Sequence, residues 1–164
     1  MTRAFRKIFA IIILSWSFSA IADAGPFEDA GAAYDGGDYA TALRLYRQMA
    51  DQGNGNAQFS LGTIYEKGRG VAQDDAEAAK WYRLAADQGH PTAQFNLGIM
   101  YDNGRGVAQN KVLAHAWFSL SVAQGNQEAA RTRDILARRM TPTQLAQAQK
   151  LAREWKPEQQ PHRR

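Results

Sequence analysis

The stretch Ala57-Gln58-Phe59-Ser60-Leu61-Gly62-Thr63-Ile64-Tyr65 returns, thirty-six positions later, as Ala93-Gln94-Phe95-Asn96-Leu97-Gly98-Ile99-Met100-Tyr101. The correspondence continues downstream. Gly68-Arg69-Gly70-Val71-Ala72-Gln73 recurs as Gly104-Arg105-Gly106-Val107-Ala108-Gln109, Trp81-Tyr82 as Trp117-Phe118, and Gln88-Gly89 as Gln124-Gly125. A residue kept at a fixed period in both copies builds each unit, whereas chemistry needs it only once. The repeat therefore predicts a helical solenoid, an architecture whose usual work is binding.

Each unit reads as two helices. Ala57, Leu61, Ile64 and Tyr65 recur at three- and four-residue spacing and fall on one apolar face. Gly62 and Gly98 sit among such residues. A mid-helix glycine costs about 1 kcal/mol relative to alanine, so its return in both units points to a neighbouring helix that a side chain would block. The Gly-Arg-Gly segments read as tight interhelical turns with positive φ. They lack the preceding strand and following lysine of a phosphate-binding loop. Asp74-Asp75 and Asn110 then supply N-cap or first-turn groups. In the second helices, Ala78, Trp81, Tyr82 and Ala85 share one face, as do Ala114, Trp117, Phe118 and Ser121, and both sets are expected in the core. Gly89 and Gly125 end these helices.

Ala42, Tyr46, Ala50, Gln52 and Gly53 stand thirty-six positions before Ala78, Tyr82, Ala86, Gln88 and Gly89, and mark a shortened first unit with a compact Asp35-Gly36-Gly37-Asp38-Tyr39 turn. Downstream, a helix is expected over 127–139. Thr141, Pro142 and Gln144 then form a capping box. The helix they start carries Leu145, Ala148, Leu151, Ala152 and Trp155 at helical spacing and is expected to cover the exposed face of the last repeat.

Arg3, Arg6 and Lys7 precede an apolar run over 8–21, followed by Ala22-Asp23-Ala24. This is a signal peptide pattern, and the run is shorter than the roughly 20 residues of a spanning helix. Cleavage after Ala24 is expected, which leaves no transmembrane anchor and an exported, periplasmic or secreted protein. The chain has no cysteine, so lipid attachment there is excluded and no disulfide contributes. The expected organisation is a signal peptide over 1–24, an atypical first repeat over 25–54, full repeats over 55–90 and 91–126, capping helices over 127–156 and a disordered tail over 157–164.

Charge is divided along the chain. Residues 25–130 contain 8 basic and 12 acidic side chains, against 9 basic and 3 acidic over 131–164. The basic end, with Arg131, Arg133, Arg138 and Arg139, reads as a solvated cap that could also meet an anionic polymer of the envelope. Export argues against a nucleic-acid partner.

The pattern Ala57-x-x-x-Leu61-Gly62-x-x-Tyr65-x-x-Gly68-x-Gly70-Val71, followed by Ala79-x-Trp81-Tyr82-x-x-Ala85-Ala86-x-x-Gly89, resembles a Sel1-like repeat, a relative of the tetratricopeptide repeat. The copy over 93–125 matches it too, and Gly37-Asp38-Tyr39-x-x-Ala42-Leu43 is similar to the tetratricopeptide form. The resemblance implies an all-α, right-handed superhelical solenoid of helix-turn-helix repeats with a C-terminal capping helix pair. It also implies an adaptor that holds a segment of another envelope protein on its concave face. Carried over by position, that face would include Phe59, Ser60, Thr63 and Glu66 of one unit and Phe95, Asn96, Ile99 and Asp102 of the next. Ile99 and Met100 would be apolar anchors for a peptide. Some exported members with a cysteine pair in each repeat are associated with β-lactam binding or hydrolysis; the absence of cysteine here weakens that carry-over. A hydrolase or binding protein directed at the cell wall or at β-lactams remains the alternative.

No catalytic constellation or cofactor site is expected. His90 precedes Pro91, His115 stands alone in a helix and is expected to be partly exposed, and His162 lies in the tail, so no pair has metal-ligand spacing. Asp74, Asp75 and Glu77 cluster at a helix start, where the dipole explains them. Ser119 and Ser121 lack a nucleophile elbow.

Overall fold

The computed structural model describes residues 25–157. The expected signal peptide, and the tail beyond Pro157, lie outside them. The described residues form eight helices and no strand: α1 (Pro26–Asp35), α2 (Tyr39–Asp51), α3 (Gly55–Lys67), α4 (Asp75–Asp87), α5 (Pro91–Asn103), α6 (Lys111–Ala123), α7 (Gln127–Ala137) and α8 (Pro142–Glu154).

Local chemistry sets where most of these helices begin. The side chains of Asp38, Asn54, Asp74, His90, Asn110, Asn126 and Thr141 each accept a hydrogen bond from a backbone N–H in the first turn of the helix they precede. Thr141 and Gln144 form the expected capping box. His90 is an N-cap that the sequence pattern did not reveal.

Helices pack in sequence order, α1 with α2, α3 with α4 and α5 with α6, and each pair is joined to the next through α2 with α3 and α4 with α5. Within a pair the contact depends on the two mid-helix glycines. A Cβ on Gly62 would stand 2.5 Å from a ring carbon of Tyr82, and one on Gly98 would stand 2.5 Å from a ring carbon of Phe118. The aromatic ring of the second helix thus lies directly on the backbone of the first. Gly31 and Tyr46 keep a looser version, at 3.7 Å. The turns fit as closely: Gly106 has φ +64°, and a side chain there would strike the backbone of Asp75 in the preceding unit.

Between units, buried glutamines tie helix ends together. The Gln58 side chain donates to the Ala50 carbonyl at the end of α2 at 3.2 Å and accepts from Gln88 at 2.6 Å. Gln94 repeats this with the Ala86 carbonyl, at 3.1 Å, and with Gln124, at 2.8 Å. Gln58 and Gln94 are at most 1% exposed, and these bonds satisfy carbonyls that a helix end leaves unpaired.

The cap departs from the sequence expectation in detail. α7 ends at Ala137, with Arg138 as C-cap, and not at Arg139. α7 and α8 both pack on α6 and hardly touch each other. α8 covers the last repeat as expected, but Ala148 is its only buried residue, and Leu151 is 43% exposed. Trp155 is the C-cap of α8, and its ring meets Trp117 edge-on at 6.3 Å.

Replacing Gly62 or Gly98 with valine is expected to destabilise the fold by about 1–3 kcal/mol, the usual cost of overpacking. Thermal melts should show the loss, and pairing Gly98→Val with Phe118→Ala should lose less than the sum of the two single changes. Additive losses would show that the ring and the glycine are not in register.

Candidate partner-binding groove

Tyr46, Tyr82 and Phe118 occupy one position in successive units, and their surroundings define the candidate groove. The Tyr82 hydroxyl donates to Glu66 Oε2 at 2.7 Å and lies 3.2 Å from Thr63 Oγ1, with Asn96 also in hydrogen-bonding reach. The Tyr46 hydroxyl has the Ser60 hydroxyl and the Asp35 carboxylate nearby. Burial, first of all, pushes both phenols above their usual range, so they act as neutral hydrogen-bonding groups. In the third unit Phe118 has no hydroxyl and Ile99 stands where Thr63 stood, but Asp102 keeps the acidic place of Glu66, and without a phenol to donate to it its Oδ1 is buried with no hydrogen-bond partner among the described residues.

A cavity of about 140 Å³ opens beside Tyr46, lined by Tyr34, Tyr46, Phe59, Ser60 and Thr63. Three of the residues expected on the binding face, Phe59, Ser60 and Thr63, are therefore brought to one wall. Phe59 is fixed by its neighbours: its ring stacks on His90 at 4.6 Å and 16°, and lies 5.8 Å from the Tyr82 ring. A mostly apolar lining with the hydroxyls of Ser60 and Thr63 and two tyrosines suits a small side chain that carries one polar group.

The other expected residues are engaged elsewhere. Glu66 accepts from Tyr82, and its Oε1 accepts from Arg105 Nη2 at 3.2 Å. Arg105 also forks onto Asp75, at 2.8 and 3.3 Å, and holds that carboxyl below its usual range. Asn96 faces Tyr82. Phe95 and Ile99 pack against the cluster of Ala114, Phe118 and Leu136, under the last turn of α7. Asp102 is 15% exposed and lies 3.7 Å from Arg139. Met100, expected as a peptide anchor, is 1% exposed and belongs to the core, because it sits on the helix face turned toward α4 and α6. Of the basic cap, Arg133 pairs with Asp134 at 2.9 Å and Arg139 with Asp102, while Arg131 and Arg138 are exposed and have no carboxylate partner among the described residues.

His115 is buried, at 5% exposure, and not partly exposed as expected; burial and then Arg133 lower its pKa. Burial also lowers that of His90. Two further arrangements escaped the sequence reading. Arg47 lies over the Trp81 ring and donates to the Tyr65 hydroxyl, and Arg83 does the same with Trp117 and Tyr101. Their thirty-six-residue spacing was the available signal. Among the described residues no group of three His, Cys, Asp or Glu gathers as a metal site.

A family model described as Sel1 repeat matches residues 30–54, 55–90 and 91–126. Among solved structures, a protective antigen present in uropathogenic Escherichia coli strains and displaying an SLR fold superposes with a TM-score of 0.75 at 33% identity, over 79% of this chain. This chain spans only 29% of that protein. A Sel1 repeat protein from Oxalobacter formigenes superposes with a TM-score of 0.62 at 37% identity, over 66% of this chain and 85% of that one. No curated protein matches.

The two lowered histidines give stability a pH dependence. Each folded-state pKa lies below the ordinary value of 6.5, so the unfolded chain binds more protons as pH falls through that value. The melting temperature should be level above about pH 7.5 and drop by several degrees toward pH 5. His90→Asn, which keeps an N-cap oxygen, should flatten part of that drop; an unchanged profile would contradict the role given to His90. Glu66→Gln should cost less than about 1 kcal/mol, since Glu66 and Arg105 are both partly open to solvent.

Proposed function

Because the chain belongs to the Sel1 repeat family, we propose that it is a non-enzymatic adaptor of the bacterial cell envelope, holding a segment of another protein in the groove beside α1 and α3. Sel1 repeat proteins generally mediate protein–protein interaction, and their fold is typically an interaction scaffold. The observation that carries the reading is the cavity walled by Phe59, Ser60 and Thr63 and floored by Tyr46. It offers shape, the buried Tyr46 phenol and the hydroxyls of Ser60 and Thr63, which is what an anchor side chain needs. It offers no activated nucleophile, since the tyrosines are held as neutral phenols.

The groove is graded along its length. Beside α3 it has a cavity and hydrogen-bonding groups; beside α5 the cap helix packs on Phe95 and Ile99. The anchor is accordingly assigned to the first-repeat end. The envelope assignment rests on the basic, apolar and small-residue order of 3–24. No described helix is long and apolar enough to cross a membrane.

Placing a photo-crosslinking residue at Ser60, and separately at Lys80, whose side chain is 71% exposed on α4, tests the groove in intact cells. Discrete adducts from Ser60 and none from Lys80 are expected. Equal labelling from both positions, or silence from Ser60, would overturn the assignment. N-terminal sequencing of the accumulated protein should begin at Gly25, and a retained Met1 in the cytoplasmic fraction would remove the envelope part alone.

A further inference from the structure

The two ends of the helical array carry complementary stripes. On α1 the exposed residues Glu28, Ala32 and Asp35 stand at i, i+4 and i+7, and the helix contains no basic residue. At the other end, the exposed residues Arg131, Ile135 and Arg138 stand at the same spacing along α7 and its C-cap. Ile135 is 59% exposed, the most open large apolar side chain among the described residues. Neither stripe is occupied by the described residues: among them Arg131 and Arg138 have no carboxylate partner, and α8 leaves α7 to pack on α6. Glu128 and Asp134 flank the basic stripe, and Asp134 is held by Arg133 at 2.9 Å.

Ile135 also continues a register. It stands thirty-six positions after Ile99, which stands thirty-six after Thr63, so α7 occupies the place of a first helix in a fourth unit. Alternate helices in such an array run in the same direction, so a following unit would lay its own first helix parallel to α7. Set in that orientation, α1 of a second molecule brings Glu28 to Arg131, Ala32 to Ile135 and Asp35 to Arg138. The small residue receives the large one, and each charge meets its opposite.

We propose that this protein associates head to tail, with α1 of one molecule stacking on α7 of the next as a continuation of the repeat array. The contact is heterologous, so it leaves a free acidic end and a free basic end on every assembly and builds short chains instead of closed dimers. Exposed ion pairs and one apolar contact make it weak, dependent on concentration and sensitive to salt. Of these six residues only Asp35 lies near the cavity beside Tyr46, so the Arg131, Ile135 and Arg138 variants test the contact independently of the groove reading.

Sedimentation velocity on the purified chain at low ionic strength should show an average mass that rises with concentration and returns to the monomer in high salt. The double variants Glu28→Arg/Asp35→Arg and Arg131→Glu/Arg138→Glu should each weaken association by at least about tenfold. Mixing the two should restore it, since the basic α1 of one variant then meets the acidic α7 of the other. All these positions are exposed, and circular dichroism with thermal melts should show both variants folded. Ile135→Arg provides a single-site check with the same expected loss. A wild-type chain that stays monomeric, association that survives in both double variants, or a mixture that fails to recover it would each overturn the proposal. Crosslinking from Ser60 would be unaffected in the Arg131→Glu/Arg138→Glu and Ile135→Arg variants, which separates this proposal from the groove reading.

Discussion

The contact between an aromatic ring and a bare helix backbone is the constraint on which the rest of the structure depends. Tyr82 over Gly62 and Phe118 over Gly98 set how near the two helices of a unit can lie. That spacing decides how the neighbouring side chains meet, because interiors are packed with little slack. Alanine-rich faces follow from the same demand: Ala57, Ala78, Ala85, Ala93 and Ala114 are fully buried, and larger side chains would force the pairs apart. The absence of disulfides is affordable in a chain whose helices interlock this closely.

The same ring position then decides what the groove is made of. A tyrosine needs a partner for its hydroxyl, so Ser60 and Asp35 accompany Tyr46, while Thr63, Glu66 and Asn96 accompany Tyr82. A phenylalanine needs none, so Phe118 is met by Ile99, and the cap can settle there. One hydroxyl per unit thus separates a solvated, hydrogen-bonding stretch of groove from a filled one. Arg105 crosses between units to Asp75 and Glu66, which fixes the angle between neighbours next to that polar stretch.

Periodicity alone was enough to read the helix pairs, the capping residues Asp74, Asn110 and Thr141, and the close approach at Gly62 and Gly98. These features depend on spacing within a unit, and two copies display that spacing twice. What periodicity could not supply was direction. Met100 is apolar and follows Ile99, but one step around a helix is about 100°, enough to turn a supposed anchor into the core. Glu66 and Asp102 look alike in sequence, yet one binds a tyrosine and an arginine from the next turn, and the other faces the cap. The burial of His115 was announced by its counterpart, since Ala79, thirty-six positions earlier, belongs to the repeat pattern and is 3% exposed, but a histidine in an alanine's place reads as a surface residue.

The buried glutamines carry a thermodynamic consequence. Gln58 and Gln94 each complete a helix end that belongs to the unit before them. If one unit were to detach, the Ala50 or Ala86 carbonyl would lose its partner inside a neighbour that was still folded, or the glutamine would be stranded in the core. Boundaries between ordered and disordered stretches are therefore penalised. The array is expected to melt as one cooperative body, where a string of independent beads would fray from its ends.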